Sequence, residues 1–166
     1  QASRIAQLKK EVNGINKQLG KATGKLEPIN QSVLPGIVVD NPDAELKGIW
    51  AHSSGVRNFV GIDYIYATKG DGNNTARFPV KFEKAGQYEV HISYTYHPNR
   101  SSNTLVKILH KDGVATRRIN QQKQPSLDGY FISLGTYAFP EGVHDALEIS
   151  NEGANGTIVA DAVQFI

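Results

Sequence analysis

The stretch Thr75–Tyr96, TARFPVKFEKAGQYEVHISYTY, alternates apolar and polar side chains on both sides of a short turn. Ala76, Phe78, Val80 and Phe82 alternate with Arg77, Lys81 and Glu83; Tyr88, Val90, Ile92 and Tyr94 alternate with Glu89, His91 and Ser93. Successive side chains of a strand point to opposite faces, so a period of two predicts a strand with one buried face. Lys84-Ala85-Gly86 joins the two runs as a turn. Working outward, further strands are expected over Ile37–Asp40, Leu46–Ser53, Tyr64–Thr68, Thr104–His110, Ala115–Asn120, Tyr130–Phe139, Asp145–Asn151 and Thr157–Ile166. Turn signals recur at Lys111-Asp112-Gly113, Pro140-Glu141-Gly142 and Asn155-Gly156. No helical pattern interrupts the strands, which argues against a parallel βαβ sheet. The prediction for residues 31–166 is a mainly-β, two-sheet antiparallel jelly-roll sandwich.

Residues 1–30 differ. Ile5, Leu8, Val12, Ile15, Leu19, Ala22 and Leu26 recur at alternating spacings of three and four, a heptad seam. Ser3 suits an N-cap and Pro28 a stop, so one N-terminal α-helix is expected as a linker. Gly14, Gly20 and Gly24 each cost about 1 kcal/mol against alanine, so such a helix needs a partner: another copy, an upstream segment or the sandwich itself.

Of 166 residues, 18 are basic and 16 acidic, a net charge of +2. The segment 1–30 carries +4 and the remainder −2, so the sandwich lacks the basic footprint of a nucleic-acid binder. Cysteine is absent, which excludes disulfides, thiolate metal sites and a cysteine nucleophile. Methionine is absent too, and the chain is expected to be processed or excised from a longer protein. No apolar run approaches the roughly 18 residues of a membrane span. No Gly-rich phosphate loop opens a helix, and neither GxSxG nor HExxH occurs. A non-catalytic chain without a cofactor is expected.

Several strings then carry a family resemblance: DAELKGIW (43–50), FVG (59–61), AGQYEV (85–90), YHPNR (96–100) with Asn103, and ILHKDG (108–113). They continue with NQ (120–121), LDGYFISLGTYAF (127–139), ISNEG (149–153) and VADAVQF (159–165). In this order they resemble the golvesin-type domain, also met as the carbohydrate-binding-like C-terminal domain of xanthan lyase. The resemblance covers nearly all of the sandwich and none of the helix. It implies a galactose-binding-like jelly roll at the end of a larger secreted or cell-envelope (periplasmic) bacterial protein. It also implies accessory binding of a polysaccharide or glycoconjugate, or packing on domains of the parent protein. It assigns no ligand residue.

The candidate ligand site is the polar run Tyr96, His97, Asn99, Arg100 and Asn103, joined by Asn120, Gln121 and Asp128 from the next long loop. Asn supplies donor and acceptor together, Arg a planar fork and His a switchable partner, which suits sugar hydroxyls. Apolar sugar faces also stack on rings, and Trp50, Tyr64, Tyr66, Tyr96 and Tyr130 are candidates. A structural reading stands beside this one: Pro98 and Asn99 make turns, and Arg100 ties the loop to Asp128 or Glu152.

Asp161 interrupts an otherwise apolar final strand. A buried charge is costly unless paired, hydrogen-bonded or metal-bound. Related jelly-roll modules hold a structural Ca²⁺ between first and last strands, and Asp43, Glu45 and Asp161 would imitate that set. The alternative is that Asp161 accepts hydrogen bonds from backbone or from Trp50.

Overall fold

The computed structural model describes residues 26–166. They form β1 (Ile37–Asp40), β2 (Glu45–Lys47), β3 (Ala51–Ser53), β4 (Tyr64–Ala67), β5 (Thr75–Phe82) and β6 (Gly86–Ser93). There follow β7 (Thr104–His110), β8 (Gly113–Ile119), β9 (Phe131–Phe139), β10 (Gly142–Ser150), β11 (Ile158–Ala160) and β12 (Ala162–Phe165). All pairings between these strands are antiparallel. Three hydrogen-bonded sheets result, where two were expected: β1-β12-β6-β9, β2-β5-β10-β7-β8 and a small third sheet, β11-β4-β3.

The third sheet arises because two predicted strands break. The run Leu46–Ser53 becomes β2, which pairs with β5, and β3, which pairs with β4. Gly48 divides them at φ +83°, and a Cβ there would come within 2.6 Å of the Asn73 carbonyl oxygen. The final run Thr157–Ile166 breaks at Asp161. Before it β11 pairs with β4; after it β12 pairs with β1 and β6. Pro79 stands inside β5, where β2 no longer runs alongside and β10 bulges between Asp145 and Leu147. A proline, lacking an N–H, is tolerated in a strand at such a bulge.

One core fills the space between the four- and five-stranded sheets. The alternating residues Ala76, Phe78, Val80 and Phe82 face it from β5, and Val90 and Ile92 from β6. Phe139 stacks on Phe82 with ring centroids 4.7 Å apart, and Phe165 stands edge-on to both. A smaller cluster of Phe59, Tyr64, Tyr94 and Val159 lies under the third sheet.

Most of the expected N-terminal helix of the 1–30 segment, residues 1–25, lies outside the described residues, and among the described residues there is no α-helix. At its expected end Leu26, Glu27 and Pro28 are not helical. Ile29 is buried instead, in a parallel bridge with Val60, and the Tyr130 hydroxyl donates to the Glu27 carbonyl oxygen. A 3-10 turn, Gln31–Val33, then leads into β1.

Truncating a large buried aromatic removes its transfer free energy and leaves a void. Phe139→Ala is expected to lower unfolding stability by about 3–5 kcal/mol, read as a fall in the denaturation midpoint in urea with an unchanged slope.

Candidate functional site

Three chain segments meet at a cleft of about 240 Å³ lined by Ser53, Tyr64, Tyr66, Asn99, Arg100 and Thr157. β3 and β4 bring the serine and the two tyrosines. The loop after β6 brings Asn99 and Arg100, and the residue before β11 brings Thr157. The loop turns because the Arg100 N–H donates to the His97 carbonyl oxygen (3.0 Å) and the Asn99 N–H to His97 Nδ1 (3.1 Å). The Thr157 N–H donates to the Asn99 carbonyl oxygen (3.2 Å), and the Ser101 N–H to the Thr157 carbonyl oxygen (2.7 Å). Backbone hydrogen bonds thus join the two loops at the cleft.

Arg100 lies at the base of the cleft, with 7% of its surface exposed. Its Nε donates to the Thr95 carbonyl oxygen (3.0 Å) and its Nη1 to Asn99 Oδ1 (2.8 Å). Nη2 donates to Thr95 Oγ1 (3.1 Å) and, at 3.4 Å, to the Tyr64 hydroxyl. The guanidinium carbon stands 5.7 Å from the centre of the Tyr64 ring. Among the described residues no carboxylate lies within ion-pair distance of it. Burial, the largest influence on the Tyr64 phenol, raises its pKa. Hydrogen bonds with Ser53 and the Val56 N–H, then the Arg100 charge, outweigh that, and the phenol titrates below its ordinary value of 10.0.

The other expected residues divide. Tyr96 is half-buried against the cluster under the third sheet, beside the loop, and His97 is exposed. Asn103 clasps the 153–155 turn: its Oδ1 accepts from the Asn155 N–H (3.0 Å) and its Nδ2 donates to the Gly153 carbonyl oxygen (2.9 Å). Asn120 Oδ1 accepts from the Gln122 N–H within its own loop. Gln121 is fully buried and acts as a surrogate strand for β11. Its Oε1 accepts from the Val159 N–H (2.9 Å) and Thr104 Oγ1 (3.1 Å), and its Nε2 donates to the Val159 carbonyl oxygen (2.9 Å).

Asp128 lines a different cleft, with Ile29, Leu34, Tyr130 and Phe131, so the two loops do not converge on one site. Arg100 ties to neutral groups rather than to Asp128 or Glu152; it is Arg118 Nη1 that donates to the Glu152 carbonyl oxygen (2.6 Å). Of the aromatic candidates only Tyr64 and Tyr66 line the Arg100 cleft. Tyr130 is buried, and Trp50 packs on the main core with its Nε1 donating to the Lys47 carbonyl oxygen. Ser53, Thr95 and Thr157 carry no sequence signal that would have joined them to this loop.

The model of the golvesin C-terminal domain matches residues 37–166. The chain belongs to this family. A relative, xanthan lyase of Bacillus sp. (strain GL1), is 31% identical over 157 residues, 90% of this chain and 16% of that protein. The chain thus spans under a fifth of the relative's length. The structure of Paenibacillus xanthan lyase superposes with a TM-score of 0.73 at 32% identity, covering 78% of this chain and 13% of that one. A family 35 carbohydrate-binding module from Clostridium thermocellum superposes at a TM-score of 0.53 and 14% identity, over 77% of this chain and 96% of its own. The golvesin domain therefore has the β-sandwich fold of a carbohydrate-binding module.

Asp161 of the golvesin domain is fully buried, and its neighbour is Asp40 rather than Asp43 and Glu45. Among the described residues no three His, Cys, Asp or Glu side chains come together as metal ligands, so Asp43, Glu45 and Asp161 do not assemble as a Ca²⁺ set. Asp161 Oδ2 accepts from the Val60 N–H (2.9 Å) and from Ser93 Oγ (2.7 Å), bonds that Trp50 does not share. Among the described residues its Oδ1 meets no N–H or O–H donor. A proton held between the two carboxyls supplies one, and burial together with mutual repulsion favours it. Burial first, with the charges of Asp63 and Asp43, pushes Asp40 up to about 7 against the lowering hydrogen bonds of the Asn41 N–H and Asp161; burial, then the Asp40 charge, raises Asp161 well above 3.8. Gly61 makes room: it sits at φ +81°, and a Cβ there would lie 2.2 Å from Asp40 Oδ2.

Unfolded aspartates ionise near 3.8, while these folded ones keep protons toward neutrality. The native state thus binds more protons between those limits. The stability that the pair contributes is full below pH 4 and is lost as pH rises toward 7. Asp161→Asn keeps an acceptor for Val60 and Ser93 and abolishes one ionisation. Its melting temperature is expected to exceed that of the unaltered domain at pH 8 and to match it near pH 4, measured by calorimetry across that range.

Proposed function

We propose that this golvesin domain is a non-catalytic accessory module that holds a larger bacterial extracellular or cell-envelope protein to carbohydrate. The sugar site in this reading is the Tyr64–Tyr66–Asn99–Arg100 cleft. The observation that carries it is the meeting, in one cleft, of a half-buried ring, Tyr66, with a fixed guanidinium and an exposed amide, Asn99. A pyranose needs that combination: an apolar wall for its C–H face and directional donors and acceptors for its hydroxyls. The fold shared with carbohydrate-binding modules supports it. Asn103 and Gln121 serve this site indirectly, Asn103 by tying its loop to the 153–155 turn and Gln121 by holding β11.

The test is a glycan array probed with the full chain, followed by titration of the best ligand against Tyr66→Ala. Loss of the ring is expected to cost about 1.5 kcal/mol, roughly tenfold in affinity. Unchanged affinity in the variant moves the sugar site elsewhere, and an array without hits removes the reading.

A second reading, assembly through the N-terminal segment, rests on the seam Ile5, Leu8, Val12, Ile15 and Leu19, which lies outside the described residues. Leu8→Glu with Ile15→Glu in the full chain places charge in that seam. If the segment self-associates, light scattering will show the oligomer of the unaltered chain reduced to monomer. Equal masses for the two proteins remove this reading.

A further inference from the structure

We propose that the ligand of the Arg100 cleft is a carboxylate-bearing sugar, a uronosyl residue of an acidic glycan, whose carboxylate binds the Arg100 guanidinium. This inference rests on the sugar-site reading above and names the class of sugar.

Arg100 has 7% of its surface exposed, and its guanidinium has lost most of its hydration. Such a charge is normally offset by a carboxylate, because neutral acceptors recover only part of the solvation that burial removes. Here its acceptors among the described residues are all neutral: the Thr95 carbonyl and hydroxyl oxygens, Asn99 Oδ1 and the Tyr64 hydroxyl. None of the ion pairs among the described residues includes Arg100. The Tyr64 phenol beside it titrates below its usual value although it is buried, with the Arg100 charge among the causes. The cleft therefore presents a positive charge that has no counter-ion among the described residues.

The geometry points to where that counter-ion binds. Nε and Nη2 are committed to Thr95 and Tyr64, groups of the framework. Nη1 meets the side chain of Asn99, which is exposed and whose backbone is held separately through the Thr157 N–H. The Asn99 amide oxygen thus occupies a position on the guanidinium that a side-chain rotation can vacate. A carboxylate oxygen in that position replaces a neutral acceptor with a charged one, and charge-assisted bonds to arginine are the stronger kind. One guanidinium matches a singly charged carboxylate. The Tyr66 ring and the Ser53 and Thr157 hydroxyls line the rest of the cleft, where an uncharged sugar ring would lie.

The test titrates the full chain with oligogalacturonate, with its fully methyl-esterified form and with poly-L-glutamate, each at 25 and 200 mM NaCl. The expected result is at least tenfold tighter binding of the acid oligomer than of the ester, weakening as salt is raised, and little binding of poly-L-glutamate. Arg100→Lys keeps the charge and loses the fork, and is expected to reduce the acid preference below threefold. Arg100 also staples its loop, so Tyr66→Ala serves as the second variant. It is expected to weaken the acid oligomer at least fivefold with an unchanged melting temperature.

Equal binding of acid and ester overturns the carboxylate assignment and leaves the sugar-site reading standing. Equal binding of poly-L-glutamate overturns it in favour of a general polyanion surface. Acid binding that survives in both variants places the carboxylate elsewhere and also overturns it. Glycan binding on the array confined to neutral sugars removes the inference alone, whereas no glycan binding of any kind removes both.

Discussion

The carboxyl of Asp161 sits at the point where the last strand leaves one sheet and enters another. On one side, β11 completes the small sheet with β4; on the other, β12 enters between β1 and β6. A strand that changes partners strands its backbone groups at the crossing, and buried backbone groups must be paired. Asp161 and Ser93 supply the pairing. Asp161 Oδ2 receives the Val60 N–H, and Ser93 Oγ receives the Ala162 N–H and donates to Asp161. The penalty of burying a carboxyl is kept down by sharing a proton with Asp40. Asp40 in turn fits only because Gly61 has no side chain. Four segments distant in sequence are tied at one place: the end of β1, the 59–61 turn, the end of β6 and the β11–β12 junction.

The candidate site lies at the other end of β11. Thr157, just before that strand, is held by the loop that carries Asn99 and Arg100. Gln121 pairs with Val159 in the middle of the strand and so fixes the 120s loop to it. The three residues of β11 thus link the buried acid pair to the Arg100 cleft. A short strand can do this because its far edge is completed by a side chain rather than by another strand, which leaves the adjoining loops free to fold over its start.

The sequence patterns that transferred well were those with a strict local period. The alternation in β5 puts the same residues into the core that it marks on paper, that in β6 does so for Val90 and Ile92 although His91 and Ser93 on the other face are buried too, and the turns at 84–86 and 111–113 fall between strands. Where the apolar run was continuous, the reading was less complete. Leu46–Ser53 and Thr157–Ile166 each look like one strand, yet each serves two sheets. The break at Gly48 depends on the approach of Asn73, which has no local signature. Asp161 did stand out as a polar residue in an apolar run, but its partner was sought in Asp43 and Glu45, close in sequence to Asp40, the true one. The polar loop 96–103 was also legible, because His, Asn, Arg and Ser cluster there. Its convergence with Asp128 was not, since that residue faces another cleft.

By itself, then, the sequence determined the strand-rich class, the buried faces of the main strands, the family and the arginine worth examining. Each of these is written in neighbouring residues or in an ordered set of short strings. Only the tertiary structure decided which strands break, that Asp40 and Asp161 share one burial site, and that Arg100 meets Tyr64 in a cleft with Tyr66, with no ion-paired carboxylate among the described residues. Those outcomes depend on pairs far apart in the chain. Whether a buried charge finds a partner is a property of packing, and no local period records it.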